Sequence, residues 1–186
     1  MLFRNCSCQL RTEEKMDIFE AIHTRRSIRQ FAGGEVSDDM LRKILSAAMC
    51  APSAGNAQPW QFIVLRDRAL LDRIPQIHPH AQMTKQASLG ILVCGDLRLE
   101  KYKGFWVEDC SAATQNLLLA AHGAGLGAVW TGIHPDAERT AAFQAEFSLP
   151  EQVIPFAFVP MGPPAQILSR KDIFLPERVH LNGWQR

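Results

Sequence analysis

The segment over 107–124 constrains the fold more than any other. It reads as a long helix with small residues at Ser111, Ala112, Ala113, Ala120 and Ala121, and it ends on Gly123-Ala124-Gly125-Leu126-Gly127. Small side chains let a second helix approach closely, so the pattern predicts a central packing helix. Gly125 is placed to adopt the left-handed conformation just past the helix, with Leu126 folding back onto the last turn. The glycines superficially match a dinucleotide fingerprint, but that motif must follow a strand and open a helix. Here they close a helix and lead into a strand, which excludes a Rossmann arrangement. Their use is instead to bring Trp130-Thr131-Gly132 to a site where backbone N–H groups can face a ligand.

Other elements follow from caps and periodicity. Asp17 caps a helix with apolar positions Ile18, Ala21 and Ile22 that ends near an arginine cluster. Ser37 starts a second helix, with Asp38 and Asp39 in its first turn and Met40, Leu41, Ile44, Leu45 and Ala48 on one face. Both helices are expected to face the core. Pro52, Gly55 and Pro59 impose a fixed loop before a strand over 60–65. A short helix over 69–74 is interrupted by Pro75 and Pro79. The nearly continuous apolar run over 89–94 predicts a strand buried on both faces. Strands are expected over 128–133 and 153–161, with a helix over 137–147 between them. After Met161 the chain is proline-rich and polar, as in an arm.

With 186 residues, 47% of them hydrophobic, the chain suits a single domain over 16–186, preceded by a poorly ordered extension over 1–15. No apolar run approaches the roughly 20 residues that span a bilayer, so no membrane association is expected. Cys6, Cys8, Cys50, Cys94 and Cys110 lack the spacing of a zinc site or a redox pair. Cys50, Cys94 and Cys110 are expected to be buried small hydrophobes, in keeping with a reducing cytoplasm.

The charge balance turns one local cluster into a signal. Lys and Arg number 20 against 19 acids, a formal net charge of +1, which gives no long-range field for nucleic acid or anionic lipid. A single tyrosine and the lack of a basic stripe also speak against nucleic acid. Yet Arg25-Arg26-Ser27-Ile28-Arg29 packs three guanidinium groups and a hydroxyl donor into one short segment, a fork suited to a dianionic phosphate. If the helix continues one turn, Arg29 returns to the side of Arg25. Taken alone, the cluster reads more readily as surface arginines at a helix C-terminus.

The loop from Pro52 to Trp60 shifts that balance. Ser53, Asn56 and Gln58 offer uncharged donors and acceptors that match the edge of a flat heterocycle such as a flavin pyrimidine ring. A plain connecting loop capped by Ser and Asn is the alternative. His78-Pro79-His80 has no nearby acid or cysteine and is expected in an exposed loop. His122 is expected to be a satisfied packing residue, and His23, His134 and His180 have no evident partners. No nucleophile elbow or carboxylate pair stands out, so no metal site and no catalytic side chain are assigned. That absence points to chemistry carried by a cofactor.

RRSIR, PSAGNAQPW, DCSAATQNLLLAAHGAGLGAVWTGI and PMGPPAQ, in this order and at this spacing, closely resemble signature stretches of the FMN-dependent nitroreductase family in its short, single-domain form. The likeness spans residues 16–171. It implies an α+β three-layer sandwich, with helices flanking a mainly antiparallel sheet, assembled as an intertwined homodimer with two FMN sites at the interface. It implies that Arg25, Arg26, Ser27 and Arg29 hold the FMN phosphate, ribityl chain and pyrimidine edge. Pro52, Ser53, Ala54 and Asn56, supplied by the second subunit, would close over the ring, and backbone groups of Thr131 and Gly132 would approach N5 and O4. Arg170 would add a second phosphate contact where the family has a basic pair, with Ser169-Arg170-Lys171 keeping the charge in altered order.

The same resemblance implies an NAD(P)H-dependent oxidoreductase with a ping-pong cycle. Hydride passes from the nicotinamide to the flavin N5, and an electron-poor acceptor such as a nitroaromatic or quinone then occupies the same space. Residues 74–86, with His78, His80 and Met83, and residues 101–106 are expected to shape the acceptor pocket. Both segments are short, which argues against a large closing lid. Three alternatives stay open: a flavin-binding redox sensor or storage protein without turnover, a flavin-fragmenting relative and a dehalogenating relative.

Overall fold

The computed structural model describes residues 16–184, so the expected extension over 1–15, with Cys6 and Cys8, lies outside the described residues. Helix α1 (Ile18–Thr24) begins where the Asp17 carboxylate accepts from the Phe19 and Glu20 N–H groups. Helix α2 (Asp38–Met49) begins where Ser37 Oγ accepts from the Met40 N–H. Both starts match the caps expected from the sequence, because an oxygen at the N-cap satisfies donors the helix itself leaves free.

Strand β1 (Trp60–Leu65), helix α3 (Arg68–Ile77), strand β2 (Leu89–Asp96) and helix α4 (Trp106–Gly123) come next. Strands β3 (Gly127–Ala128) and β4 (Thr131–Gly132), helix α5 (Ala137–Glu146) and strand β5 (Val153–Gly162) complete the core. The sheet runs β1-β2-β5-β3, with β4 also on β5, and each of these pairings is antiparallel.

Side-chain alternation along β2 divides the core into two layers. Leu89, Ile91 and Val93 pack with Ile44 and Ala48 of α2 and with Ala113 and Leu117 of α4. Leu92 and Cys94 pack with Leu71 and Ile74 of α3 and with Phe143 of α5. Helices therefore cover both faces of the sheet, the three-layer sandwich expected. Helix α4 closes as its glycines predict. Leu126 N–H donates to the Ala121 carbonyl at 2.9 Å and Gly125, at φ +76°, donates to the His122 carbonyl at 2.9 Å, the paired bonds of a Schellman end.

Three local expectations need correction. Helix α3 runs past Pro75 to Ile77 instead of stopping at Ile74. Pro75 removes one hydrogen bond, but Leu71, Ile74 and Pro75 form a buried face. Burying a side chain of that kind is worth about 1.5–3 kcal/mol, which outweighs the missing bond. The strand expected over 128–133 is interrupted at Val129 and Trp130. Ala128 pairs with Met161 and Thr131 with Phe158 in one register, so Val129 falls opposite Pro160, which has no N–H to give. Finally, α1 does not face the core as a whole: Ala21 is buried, but Ile18, Phe19 and Ile22 are exposed.

Beyond β5, residues 163–184 form an extended arm with one short turn at Pro176–Arg178. Its first part is tied down, with Ala165 N–H donating to the Gln30 carbonyl and Lys171 N–H to the His23 carbonyl, both at 2.9 Å. Further along, Ile173, Phe174, Leu181 and Trp184 are exposed.

Candidate functional site

Helix α1 ends before the arginines, and the chain then runs extended at the sheet edge. Ile28 N–H donates to the Ala128 carbonyl at 3.0 Å, and Ser27 bridges Ala128 in parallel. The sheet edge and burial of Ile28 thus win over a further helical turn. Alternation, not helical return, is what places Arg25, Ser27 and Arg29 on one side. They line a cavity of about 390 Å³ together with Arg26, Ser169 and Lys171, and none of the residues lining it is an acid.

The cradle is held in place by its neighbours. Gln166 Oε1 accepts from the Arg29 N–H at 2.7 Å and the Gln30 N–H at 2.9 Å. Arg26 Nη1 donates to the Arg25 carbonyl at 2.5 Å, whereas its Nη2 is buried with no hydrogen-bond partner. Burial, and then the adjacent Arg26, push the Arg25 guanidinium below its ordinary pKa. Thr24 Oγ1 donates to the Glu20 carbonyl at 2.6 Å and so accepts from His122 Nε2 at 2.7 Å, the satisfied packing role expected. Burial, with Arg25 and Arg26 nearby, lowers the His122 pKa. Crowded cations, hydroxyl donors and one orphaned guanidinium nitrogen suit a phosphate, which would pair with all of them.

Arg170 sits differently from the expectation, its Nη1 paired with Glu20 Oε2 on α1. Ser169 and Lys171, its two neighbours, reach the cavity instead. In an extended arm adjacent side chains point to opposite sides, so one basic residue faces α1 and the next the cradle.

A second cavity, about 420 Å³, shares Arg29 with the first and is lined by His78, Met83, Trp130, Thr131 and Gly132. Thr131 Oγ1 donates to the Phe158 carbonyl at 2.7 Å, which leaves the main chain of Thr131 to face a ligand. The Gly132 carbonyl accepts from Arg139 Nη1 at 2.7 Å.

His78 corrects the expectation of an exposed loop. It is 1% exposed, edge-on to Phe143, and neither ring nitrogen has a hydrogen-bond partner. Burial, followed by Arg139 and His80, lowers its pKa from 6.5 to about 4, so at neutral pH it is an uncharged imidazole. His23, expected to lack a partner, donates from Nδ1 to the Lys171 carbonyl at 3.0 Å. His134 lies edge-on to Trp106 and His180 stacks on Trp184.

The loop carrying Pro52, Ser53, Ala54 and Asn56 is braced but stands apart from the arginines. Ala54 N–H donates to Asp109 Oδ1 at 2.8 Å, Gln58 N–H to Ser53 Oγ at 3.0 Å and Lys101 Nζ to the Gly55 carbonyl at 2.5 Å. Asn56 and Gln58 hold φ values of +54° and +49°, unusual for residues with a Cβ and common at ligand-facing turns. Asp109 anchors this loop near the start of α4, whereas His122 anchors Thr24, beside Arg25, near its end. Thirteen residues at ~1.5 Å each separate the two anchors by about 20 Å along the axis. One chain therefore does not bring its own loop and its own arginines together.

Gln166, Ser169, Lys171, His78, Arg139 and Asp109 escaped the sequence reading. Only PMGPPAQ and Ser169-Arg170-Lys171 carried a signal for any of them. Cys50 is exposed at the end of α2, not buried as expected, while Cys94 and Cys110 are buried. Burial pushes the Cys94 thiol up to about 12 and the Cys110 thiol up as well, so neither supplies a thiolate. Among the described residues no helix is long and apolar enough to cross a membrane, and no group of three His, Cys, Asp or Glu side chains could hold a metal ion.

The model of the nitroreductase family matches residues 22–90 and 79–163. A Methanothermobacter thermautotrophicus protein, provisionally named NADH dehydrogenase/NAD(P)H nitroreductase, is 53% identical over 170 residues, covering 91% of this chain and 89% of its own. A crystal structure of a protein with the same provisional name from Parabacteroides distasonis is 38% identical with a TM-score of 0.85, covering 89% of this chain and 98% of that one. A provisionally named nitroreductase from Desulfovibrio desulfuricans, solved in complex with FMN, is 34% identical with a TM-score of 0.78, covering 90% of this chain and 97% of that one. With the family model matching most of its length and its sandwich shared with these structures, this chain belongs to the nitroreductase family.

Proposed function

We propose that this chain is an NAD(P)H-dependent flavin oxidoreductase that binds FMN and works as a homodimer in the cytoplasm. Its acceptors are electron-poor small molecules, nitroaromatics or quinones, reduced in a ping-pong cycle. The observation that carries this reading is the acid-free cavity of Arg25, Arg26, Ser27, Arg29, Ser169 and Lys171, with the Arg26 Nη2 buried and unpaired. FMN, when bound, supplies transfer of hydride between a nicotinamide and the acceptor.

The protein's own residues hold, orient and shield. Arg25, Arg26, Arg29 and Lys171 meet the phosphate, with Ser27 as a hydroxyl donor; Arg170, paired with Glu20, supports the arm that carries Lys171. An arginine facing the ring edge stabilises negative charge there, more strongly in a water-poor pocket than in bulk water. The main chain of Thr131 and Gly132 orients the far edge of the ring.

Pro52, Ser53, Ala54 and Asn56 come from the second copy. The separation of about 20 Å along α4 and the exposed Ile18, Phe19, Ile22, Phe174 and Trp184 both support a partner of the same sequence. That apolar surface would be covered by the other subunit. The free cysteines among the described residues suit a reducing compartment.

The test is purification followed by rapid mixing. A yellow protein that sediments as two chains, releases FMN on denaturation and loses flavin absorbance on mixing with NADH or NADPH is the expected result. A colourless monomer indifferent to added FMN would sink the proposal. Flavin that is bound but never turned over with menadione or nitrofurazone would favour a sensor or storage protein instead.

Replacing Arg25 with alanine removes a charge-assisted contact worth about 1.5–3 kcal/mol. FMN should then bind roughly 10- to 150-fold more weakly in a fluorescence titration. Unchanged affinity would move the phosphate away from this cavity.

A further inference from the structure

We infer that Arg139, on α5, is a positioning residue that fixes the Thr131–Gly132 peptide at the second cavity. This rests on the proposal above that this backbone meets the bound ring. Strand β4 is only two residues long, and the ladder leading into it is interrupted opposite Pro160. Gly132 has no side chain, and a Cβ built on it meets nothing within 4 Å. The sheet and local packing therefore hold this peptide weakly.

What holds it is a guanidinium fork. Arg139 Nη1 donates to the Gly132 carbonyl and Nη2 to Asp136 Oδ2, both at 2.7 Å. Asp136 is fixed in turn, since its Oδ1 caps α5 by accepting from the Arg139 N–H at 2.9 Å and its N–H donates to the Ile133 carbonyl at 3.0 Å. A planar fork that meets two fixed acceptors sets the orientation of both, which a lysine ammonium does not reproduce. The Arg139 side chain is 24% exposed, so the contact is partly screened from water. On the cavity side, the buried His78 faces the Gly132 backbone without reaching hydrogen-bond geometry. Arg139 thus sets the plane of the peptide whose other groups are turned toward the cavity.

Arg139→Lys, Arg139→Ala and Asp136→Asn separate this role from simple stability. The lysine keeps the charge and loses the fork, and the asparagine keeps the helix cap but weakens the anchor of the fork. Each purified holoprotein is compared with wild type by FMN fluorescence titration, visible spectrum, flavin midpoint potential, and steady-state kcat and KM with NADH, NADPH and menadione. FMN affinity should stay within a few-fold, since the phosphate cradle is untouched, while the flavin bands and potential move. The kcat for Arg139→Lys should fall roughly ten- to a hundredfold, the scale of a small misplacement at a reacting centre. Asp136→Asn should fall less.

If Arg139→Ala does not fold, the other two variants carry the test. Variants that bind FMN with wild-type spectrum, potential and kcat overturn the role of Arg139 and leave the flavin proposal standing. A wild-type protein that does not bind FMN removes both.

Discussion

Gly90→Ala will lower the melting temperature by roughly 6–12 °C, the shift that about 3 kcal/mol produces in a domain of this size. A Cβ at Gly90 would lie 2.1 Å from Cζ and 2.8 Å from Cε2 of Phe158. Phe158 is fully buried on the neighbouring strand β5, among Leu71, Ile74 and Phe143. Its ring lies over the bare backbone of β2 and has no free volume to move into. The strain would also reach the second cavity, because the Phe158 carbonyl accepts the Thr131 hydroxyl. Combining Gly90→Ala with Phe158→Leu should recover part of the loss, and chemical denaturation of the four proteins of the cycle measures that coupling. Purely additive effects would mean that this contact does not limit stability.

Acid should weaken the folded state through His78, by roughly 3 kcal/mol between neutral pH and pH 4, the value of the gap between 6.5 and about 4. The sign follows from where the proton sits. An unfolded chain protonates His78 as pH falls through 6.5, while the folded chain resists until about 4. In that window the unfolded state binds more protons, so stability is full above about 6.5 and is lost toward 4. Burial is the main cause, Arg139 and His80 act in the same direction, and the Gly132 backbone and Asp136 oppose them. His78→Phe keeps a ring beside Phe143 and removes the titration. Urea denaturation at pH 7 and pH 4.5 should show a smaller loss in this variant than in wild type, other carboxylates being common to both. Equal losses would place the histidine in contact with water.

Much of the architecture was legible along the chain because its causes are local. Asp17 and Ser37 offer oxygens at two helix starts, the run at β2 has no polar residue to expose before its last position, and Gly125 supplies the one backbone conformation that ends α4 where it ends. The arginine cluster and the braced loop were visible for the same reason: short segments with an unusual donor inventory. The family signatures tied them to one kind of ligand.

Other features depend on what lies opposite. The apolar stripe of α1 showed which residues avoid water, but Ile18, Phe19 and Ile22 could have met either this chain's core or another surface. Pro160 interrupts a strand thirty residues earlier only because the register sets it against Val129. His78 is buried because α5 brings Phe143 over it, and Arg139 reaches the Gly132 carbonyl because α5 turns back beneath β4.

The sequence by itself determined the elements, the two faces of the sheet and the chemistry of the candidate ligand-binding segments, since caps, periodicity and charge act within a few residues. Only the tertiary structure decided that Lys171, not Arg170, turns toward the cradle, that His78 is enclosed, and that α4 holds the loop and the arginines far apart. Those outcomes come from contacts between residues distant along the chain, whose free energy depends on packing and register and leaves no pattern in either segment alone.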